Sequence, residues 1–140
     1  MRQVHEFEIK NMLRMALEAK ERAYAPYSDF KVGACLKGAS GAYYMGANIE
    51  NASYSPTVCA ERVALFKAVY DGEKAFDAIA IVSDSKMPTV PCGVCRQVLA
   101  EFCDGEMPII CACSNGEYMM MPLSEIYPAP FKMGEENHGE

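Results

Sequence analysis

The residues in the middle of the chain that could do chemistry are cysteines and carboxylates, because the two histidines, His5 and His138, lie near the ends. The sharpest pattern is the pair Cys92 and Cys95, which follows a proline. At the start of a helix, residues three apart lie on one side, since three residues advance about 300°. The helix N–H groups and dipole would favour thiolate there. Alone, the pair predicts either a redox dithiol or half of a metal site.

A third cysteine, Cys59, favours the metal interpretation. It lies 33 residues before Cys92, at another predicted helix start with the sequence Cys-Ala-Glu. Two helix N-termini can meet at one end of an α/β sheet, where such folds place ligand sites. Three cysteine ligands leave the fourth position of a zinc ion open, which is the arrangement of catalytic zinc. Glu61, two residues from Cys59, would suit a general base in that site.

The all-cysteine ligand set has an electrostatic drawback. Three thiolates around Zn²⁺ leave a net negative formal charge, which weakens the effect of the metal on water. Positive helix ends at the sulfurs and hydrogen bonds from Arg62 would both offset that charge. The residue pattern supports two roles for Arg62 equally, a donor to the sulfurs or an exposed helix residue.

Four ordered motifs carry a family resemblance: YSxFxVGA at 27–34, NIENASY at 48–54, CAER at 59–62 and PCGxCRQ at 91–97. Together they resemble the small, homotetrameric cytidine deaminases, over about residues 20–131. The resemblance implies zinc-dependent hydrolysis of cytidine and 2′-deoxycytidine to uridine and 2′-deoxyuridine plus ammonia, in pyrimidine salvage. It implies that Cys59, Cys92 and Cys95 bind one zinc ion per chain. Glu61 would be the acid and base at C4 of cytosine.

The resemblance also assigns residues to the nucleoside. Asn48 and Glu50 would bind the sugar hydroxyls, which an amide beside a carboxylate suits. Phe30 would pack on the pyrimidine, although by its pattern alone it reads as core. The remaining implied contacts are Tyr54, the backbone of Ala60 and Val90, and Phe131, which would reach the site of a neighbouring subunit. Arg62 would donate hydrogen bonds to the sulfurs of the metal ligands.

Composition and charge limit the classes of partner and the cell compartment that we expect for this protein. The chain has 140 residues, 51% of them hydrophobic, and a net charge of −6. An acidic chain is poorly suited to nucleic acid, and no apolar stretch approaches the roughly 20 residues that span a membrane. The start lacks an apolar secretory segment. We therefore expect a cytoplasmic protein with reduced thiols, a free pyrimidine nucleoside as its partner, and a homotetramer by resemblance.

The elements that must position these residues alternate in type. The patterns predict helices at 3–24, 59–72, 92–102 and 123–127, with Thr57 capping the second and Pro91 opening the third. They predict strands at 30–37, 42–49, 78–83, 109–113 and 117–121. This order indicates an α/β fold with about five strands and helices on both faces. The resemblance makes it a three-layer α/β/α fold with a mixed sheet, one catalytic domain at 1–131 and a polar tail at 132–140.

Two other functions stay open. One is a related deaminase that acts on a cytosine-containing nucleoside antibiotic. The other is a non-catalytic protein with a structural zinc or a redox pair, which predicts four protein ligands or none and no role for Glu61. The cysteines outside the proposed site are predicted to be small buried core residues; they are Cys35, Cys103, Cys111 and Cys113.

Overall fold

The computed structural model describes residues 1–133. Its elements, in chain order, are α1 (Glu6–Lys20), β1 (Val32–Gly38), β2 (Tyr43–Ala47), α2 (Ala60–Tyr70), β3 (Phe76–Ser83), α3 (Gly93–Phe102), β4 (Pro108–Cys113), β5 (Tyr118–Pro122) and α4 (Leu123–Ile126). The order of helices and strands is the predicted one. The polar tail predicted for 132–140 lies outside the described residues from position 134 onward.

The five strands form one mixed sheet in the order β2-β1-β3-β4-β5. Only β3 and β4 run parallel, and the other neighbours pair antiparallel. Helix α1 packs on one face against β1 and β3, while the core of the other face is built with α2, α3 and α4. The three-layer α/β/α prediction is therefore confirmed.

Alternating side chains of the central strands build two cores. In β1, Leu36 packs towards α2, whereas Cys35 packs towards α1. The α1 face is lined largely by small side chains, which lets the helix come close to the sheet. Gly33 makes this approach possible, since a Cβ there would lie 2.0 Å from the backbone oxygen of Ala16. The C-terminal end of α1 is thus pressed against the start of β1.

Two predicted helix starts need correction. Thr57 does not cap α2: the N-cap is Cys59, without a side-chain bond, and the Thr57 hydroxyl accepts from the backbone N–H of Asn51 instead. Pro91 lies two residues before the first helical residue of α3, and Cys92 is the N-cap there. Both helices therefore begin directly after a cysteine, which leaves each cysteine backbone extended.

Element ends differ from the predictions by a few residues, most of all in α1, which ends at Lys20 rather than at 24. Within residues 1–133 this is the longest helix, at 15 residues, and no helix there is both long and apolar enough to cross a membrane.

Candidate active site

Three thiols converge where the two helix starts meet. Cys59 precedes α2, Cys92 caps α3, and Cys95 lies in the first turn of α3. Their sulfur atoms all lie within 4.8 Å of one another. The Sγ atoms of Cys59 and Cys92 are 3.8 Å apart, far beyond the roughly 2.05 Å of a disulfide.

This triangle fits a zinc ion. A Zn–S distance of about 2.3 Å with tetrahedral angles requires sulfurs about 3.8 Å apart, the separation between Cys59 and Cys92. Among residues 1–133 no fourth histidine, cysteine, aspartate or glutamate completes the group. A set of three protein ligands is typical of catalytic zinc, whereas structural sites are closed by four. The four-ligand interpretation is thus not supported by these residues.

Hydrogen-bond donors, one of them the Arg62 guanidinium, face two of the sulfurs. The Nη2 atom of Arg62 donates to the Sγ of Cys59 at 3.4 Å, and the backbone N–H of Cys95 donates to the Sγ of Cys92 at 3.5 Å. Hydrogen bonds from the Cys95 thiol and from Arg62 lower the pKa of Cys59 to about 5, although burial opposes them. Cys59 is thus favoured as a thiolate before any metal is considered, whereas its hydrogen bond with Cys95 raises the pKa of the Cys95 thiol.

Glu61 is the carboxyl group nearest in sequence to this triangle. It is the second residue of α2 and only 6% exposed. Burial raises its pKa to about 7. Its side chain lines a cavity of about 300 Å³ that is also lined by Cys59 and Cys92, while Cys95 is fully buried behind them.

The same cavity brings together most of the predicted substrate contacts. Phe30, Asn48, Glu50, Ala60 and Val90 all line it. The lining also includes residues that were not predicted, namely Ser28, Val32, Thr57, Val58, Ile81, Ser83 and Thr89. The first two lie inside the YSxFxVGA motif, which could have indicated them. The other five lie outside the four motifs, and only the folding of the sheet and its loops brings them to the cavity.

Asn48 and Glu50 are held rigidly by the chain itself. The Oδ1 atom of Asn48 accepts from the N–H of Val32 at 2.9 Å, and its Nδ2 donates to the carbonyl of Phe30 at 2.8 Å. Glu50 accepts from the N–H and hydroxyl groups of Ser28, and these hydrogen bonds lower its pKa. Asn48 retains a second N–H and Glu50 retains free lone pairs, so both can still bind a polar ligand.

Two of the predicted substrate contacts are outside the cavity. Tyr54 is 79% exposed, has a left-handed backbone (φ 46°) and borders an adjoining depression with Tyr27 and Glu50. Phe131 is 64% exposed, and its carbonyl accepts from the side-chain amide of Gln97 at 3.1 Å. Neither side chain lines the cavity of its own chain.

Comparisons with known proteins agree with this geometry. Residues 7–111 match the family model described as the cytidine and deoxycytidylate deaminase zinc-binding region. A relative from Sporosarcina psychrophila, named cytidine deaminase, is 45% identical over 124 residues, which are 89% of this chain and 91% of that protein. A second, from Halalkalibacterium halodurans, has the same name and 45% identity over 90% of this chain and 96% of its own length.

Solved structures give the same result. The crystal structure of cytidine deaminase from Burkholderia pseudomallei superimposes with a TM-score of 0.85 at 38% identity. The match covers 92% of this chain and all of that one. The cysteine triangle is positioned to hold the zinc ion of such a domain. The chain therefore belongs to the zinc-binding cytidine and deoxycytidylate deaminase family.

Proposed function

We propose that this protein hydrolyses cytidine and 2′-deoxycytidine to uridine and 2′-deoxyuridine plus ammonia, in pyrimidine salvage. One observation carries the proposal: a buried carboxyl group, Glu61, and two thiols of the cysteine triangle, Cys59 and Cys92, line one cavity whose other walls hold an aromatic ring, an amide and a carboxylate. The relatives named above point to the same reaction.

Zinc held by Cys59, Cys92 and Cys95 would supply Lewis-acid activation of water. Glu61 moves the protons. Its carboxylate takes a proton from the attacking water and passes one to the ring nitrogen beside C4. It then takes the remaining proton of the hydroxyl group added at C4 and gives it to the amino group, so that the bond between C4 and that nitrogen breaks and ammonia leaves. Because Glu61 is buried and lines the cavity, its carboxyl group faces a bound substrate rather than bulk solvent.

The other cavity residues hold the nucleoside. Phe30 packs against the pyrimidine, and the backbone of Ala60 and Val90 contacts its edge. Asn48 and Glu50 bind the sugar hydroxyls, a role supported by the spare N–H and lone pairs that their internal hydrogen bonds leave. The charge of Glu50 also repels a 5′-phosphate, which favours nucleosides over nucleotides.

The active form we propose is a cytoplasmic homotetramer with one catalytic unit at 1–131 in each chain. Tyr54 and Phe131 would complete the site of a neighbouring subunit, which is supported by their exposure and by their position outside the cavity of their own chain. All seven cysteines are free thiols, which agrees with a reducing compartment. Light scattering of the purified protein would test the tetramer, and Phe131→Ala would test the shared site through its kcat/KM.

An ultraviolet assay of cytidine loss tests the function itself. We expect the purified zinc-loaded protein to convert both nucleosides and to leave cytidine 5′-phosphate largely untouched. A cytosine-containing nucleoside antibiotic, assayed in parallel, separates the ordinary deaminase from the related antibiotic-modifying type. Conversion of the antibiotic alone would overturn the proposal.

A further inference from the structure

The backbone at 30–32, which forms one wall of the cavity, is held from both sides by side chains rather than by full strand pairing. On one side Asn48 binds the carbonyl of Phe30 and the N–H of Val32. On the other side Asp84 binds Lys31. The backbone N–H of Asp84 donates to the carbonyl of Lys31 at 3.1 Å, and its Oδ2 accepts from the N–H of Lys31 at 2.9 Å.

Asp84 therefore extends the sheet by one residue. The last pair between β1 and β3 is Val32 with Ser83, directly before the Lys31–Asp84 contact. In that contact a carboxylate takes the place of a backbone carbonyl as the acceptor. Since side chains rotate and backbone carbonyls in a ladder do not, this acceptor needs its own restraint.

Lys20 provides the restraint. It is the last residue of α1 and only 7% exposed, and its Nζ donates to the Oδ1 of Asp84 at 2.5 Å. The two carboxylate oxygens thus have different partners, one in the helix and one in the cavity wall. A buried lysine needs such a partner, because an unpaired buried charge is strongly unfavourable. Gly33 lets the helix end lie close enough to reach Asp84.

We infer that the Lys20–Asp84 ion pair is a positioning device for the substrate cavity. It ties the backbone of Lys31 to α1 and so sets where Phe30 and Val32 stand relative to Ser83, all three of which line the cavity. Neither member of the pair lines the cavity itself, so the effect on substrate passes through the 30–32 backbone. This inference rests on the proposed function for its kinetic consequence, though not for its structural one.

The chain contains a matched control. Glu8, at the other end of α1, pairs with Lys37 near the other end of β1. This second pair also joins helix to sheet and is also largely shielded from solvent, with side chains 15% and 26% exposed. It contacts none of the cavity residues described above. Loss of either pair should destabilise the fold, but only loss of Lys20–Asp84 should change substrate binding.

The test compares Lys20→Met and Asp84→Asn with Lys37→Met and Glu8→Gln. For the first two variants we expect about a tenfold rise in KM for cytidine, a smaller change in kcat and unchanged zinc content. The two control variants should keep kcat/KM within about twofold at a similar loss of thermal midpoint. Lys20→Arg should have a KM close to that of the wild type, because arginine keeps the positive charge that pairs with Asp84. Asp84→Asn keeps the shape of the side chain but has only one acceptor oxygen, so it cannot accept from Lys20 and Lys31 together, and it provides a foldable variant if Lys20→Met fails.

Hydrogen–deuterium exchange separates this inference from the proposed function. In Asp84→Asn and Lys20→Met, the amide of Lys31 should exchange at least about tenfold faster than in the wild type, whether or not the protein deaminates cytidine. Unchanged exchange of this amide, or a KM no higher than in the control variants, would overturn the inference. Absence of cytidine turnover by the wild-type protein would overturn the proposed function instead.

Discussion

Helix α1 is joined to the sheet at both ends by an ion pair, and the two ends have different surroundings. At the far end, Glu8 accepts from Lys37 and from the Tyr43 hydroxyl, where β1 and β2 are fully paired. At the cavity end, β2 has already finished at Ala47, and the backbone at 30–32 must find side-chain partners. Both contacts contribute to stability, but only the one beside backbone that relies on side-chain partners also shapes a site.

This contrast explains where the cavity lies. A continuous ladder leaves no room for a ligand, because each backbone group and each face is already used. Where the ladder stops, the ends of β1 and β3 and the starts of α2 and α3 leave a space lined by groups of mixed chemistry. The site therefore lies at the end of the sheet, and its geometry depends on side chains such as Asn48 and Asp84 that replace missing strand partners.

The largest expected effect comes from removing a thiol at the cavity end. In Cys95→Ala the fully buried sulfur is lost, the zinc content should fall and cytidine turnover should drop below detection. Cys35→Ala is the matched control, because Cys35 is equally buried but lies on the α1 face of the sheet. Metal analysis and the ultraviolet assay measure both. Full zinc and activity in Cys95→Ala would remove that residue from the ligand set.

An intermediate effect is expected from the aromatic wall. Phe30→Ala should raise KM by about tenfold or more, since packing of a base on an aromatic ring is worth about 1–3 kcal/mol. Phe102→Ala serves as control because Phe102, at the end of α3, has almost the same exposure, 38% against 37%. Steady-state kinetics measure the KM for cytidine of both variants. Equal KM values for the two would show that Phe30 is only a packing residue.

A smaller effect, on stability alone, is expected at the far end. Burial acts to raise the pKa of Glu8, but hydrogen bonds from Lys37 and Tyr43 bring it below its ordinary value of 4.5. A lowered folded-state pKa means that the contribution to stability is complete above about pH 4.5 and disappears as the pH falls through the folded value.

The variant Glu8→Gln should therefore be less stable than the wild type at pH 7, by about 1 kcal/mol. The difference should shrink as the pH falls below about 4.5. Urea unfolding across this pH range measures the difference in the free energy of unfolding. We expect kcat/KM at pH 7 to be the same for Glu8→Gln and the wild type. A gap that stayed constant into acid would refute the assigned role of the carboxylate.

The smallest effect is expected for the exposed pair Arg14 and Glu18 on the outer face of α1. Their side chains are at least 60% exposed, so Glu18→Gln should change the free energy of unfolding by no more than about 0.5 kcal/mol. The same urea titration measures it. A loss as large as that of Glu8→Gln would mean that burial does not distinguish the ion pairs of α1.

Much of this architecture could be predicted from local patterns. The alternation of apolar residues gave the order of helices and strands, and three cysteines at two helix starts with a neighbouring carboxylate indicated the metal triangle. These features succeed because their residues lie close together in sequence or repeat with the period of an element. Helix caps were less predictable: Thr57 has the right chemistry for a cap but bonds to Asn51 instead.

The contacts that complete the cavity could not be predicted in this way. Lys20 and Asp84 are 64 residues apart, and nothing near either residue distinguishes it from an exposed charge. Ser83 and Thr89 line the cavity because of how β3 ends, which depends on pairing with β1. Roles of this kind arise from strand register and helix packing, so they become visible only in the folded chain.

The central claim is that Glu61 moves protons for a reaction at a metal held by three cysteines. Its most direct test is the ultraviolet assay of cytidine loss by Glu61→Gln, with zinc content measured on the same sample. The amide has nearly the shape of the carboxyl group but cannot accept and return a proton. We predict full zinc occupancy, an unchanged fold and a fall in kcat of about 10²–10⁴-fold. Retention of wild-type turnover by a zinc-loaded Glu61→Gln protein would contradict the account.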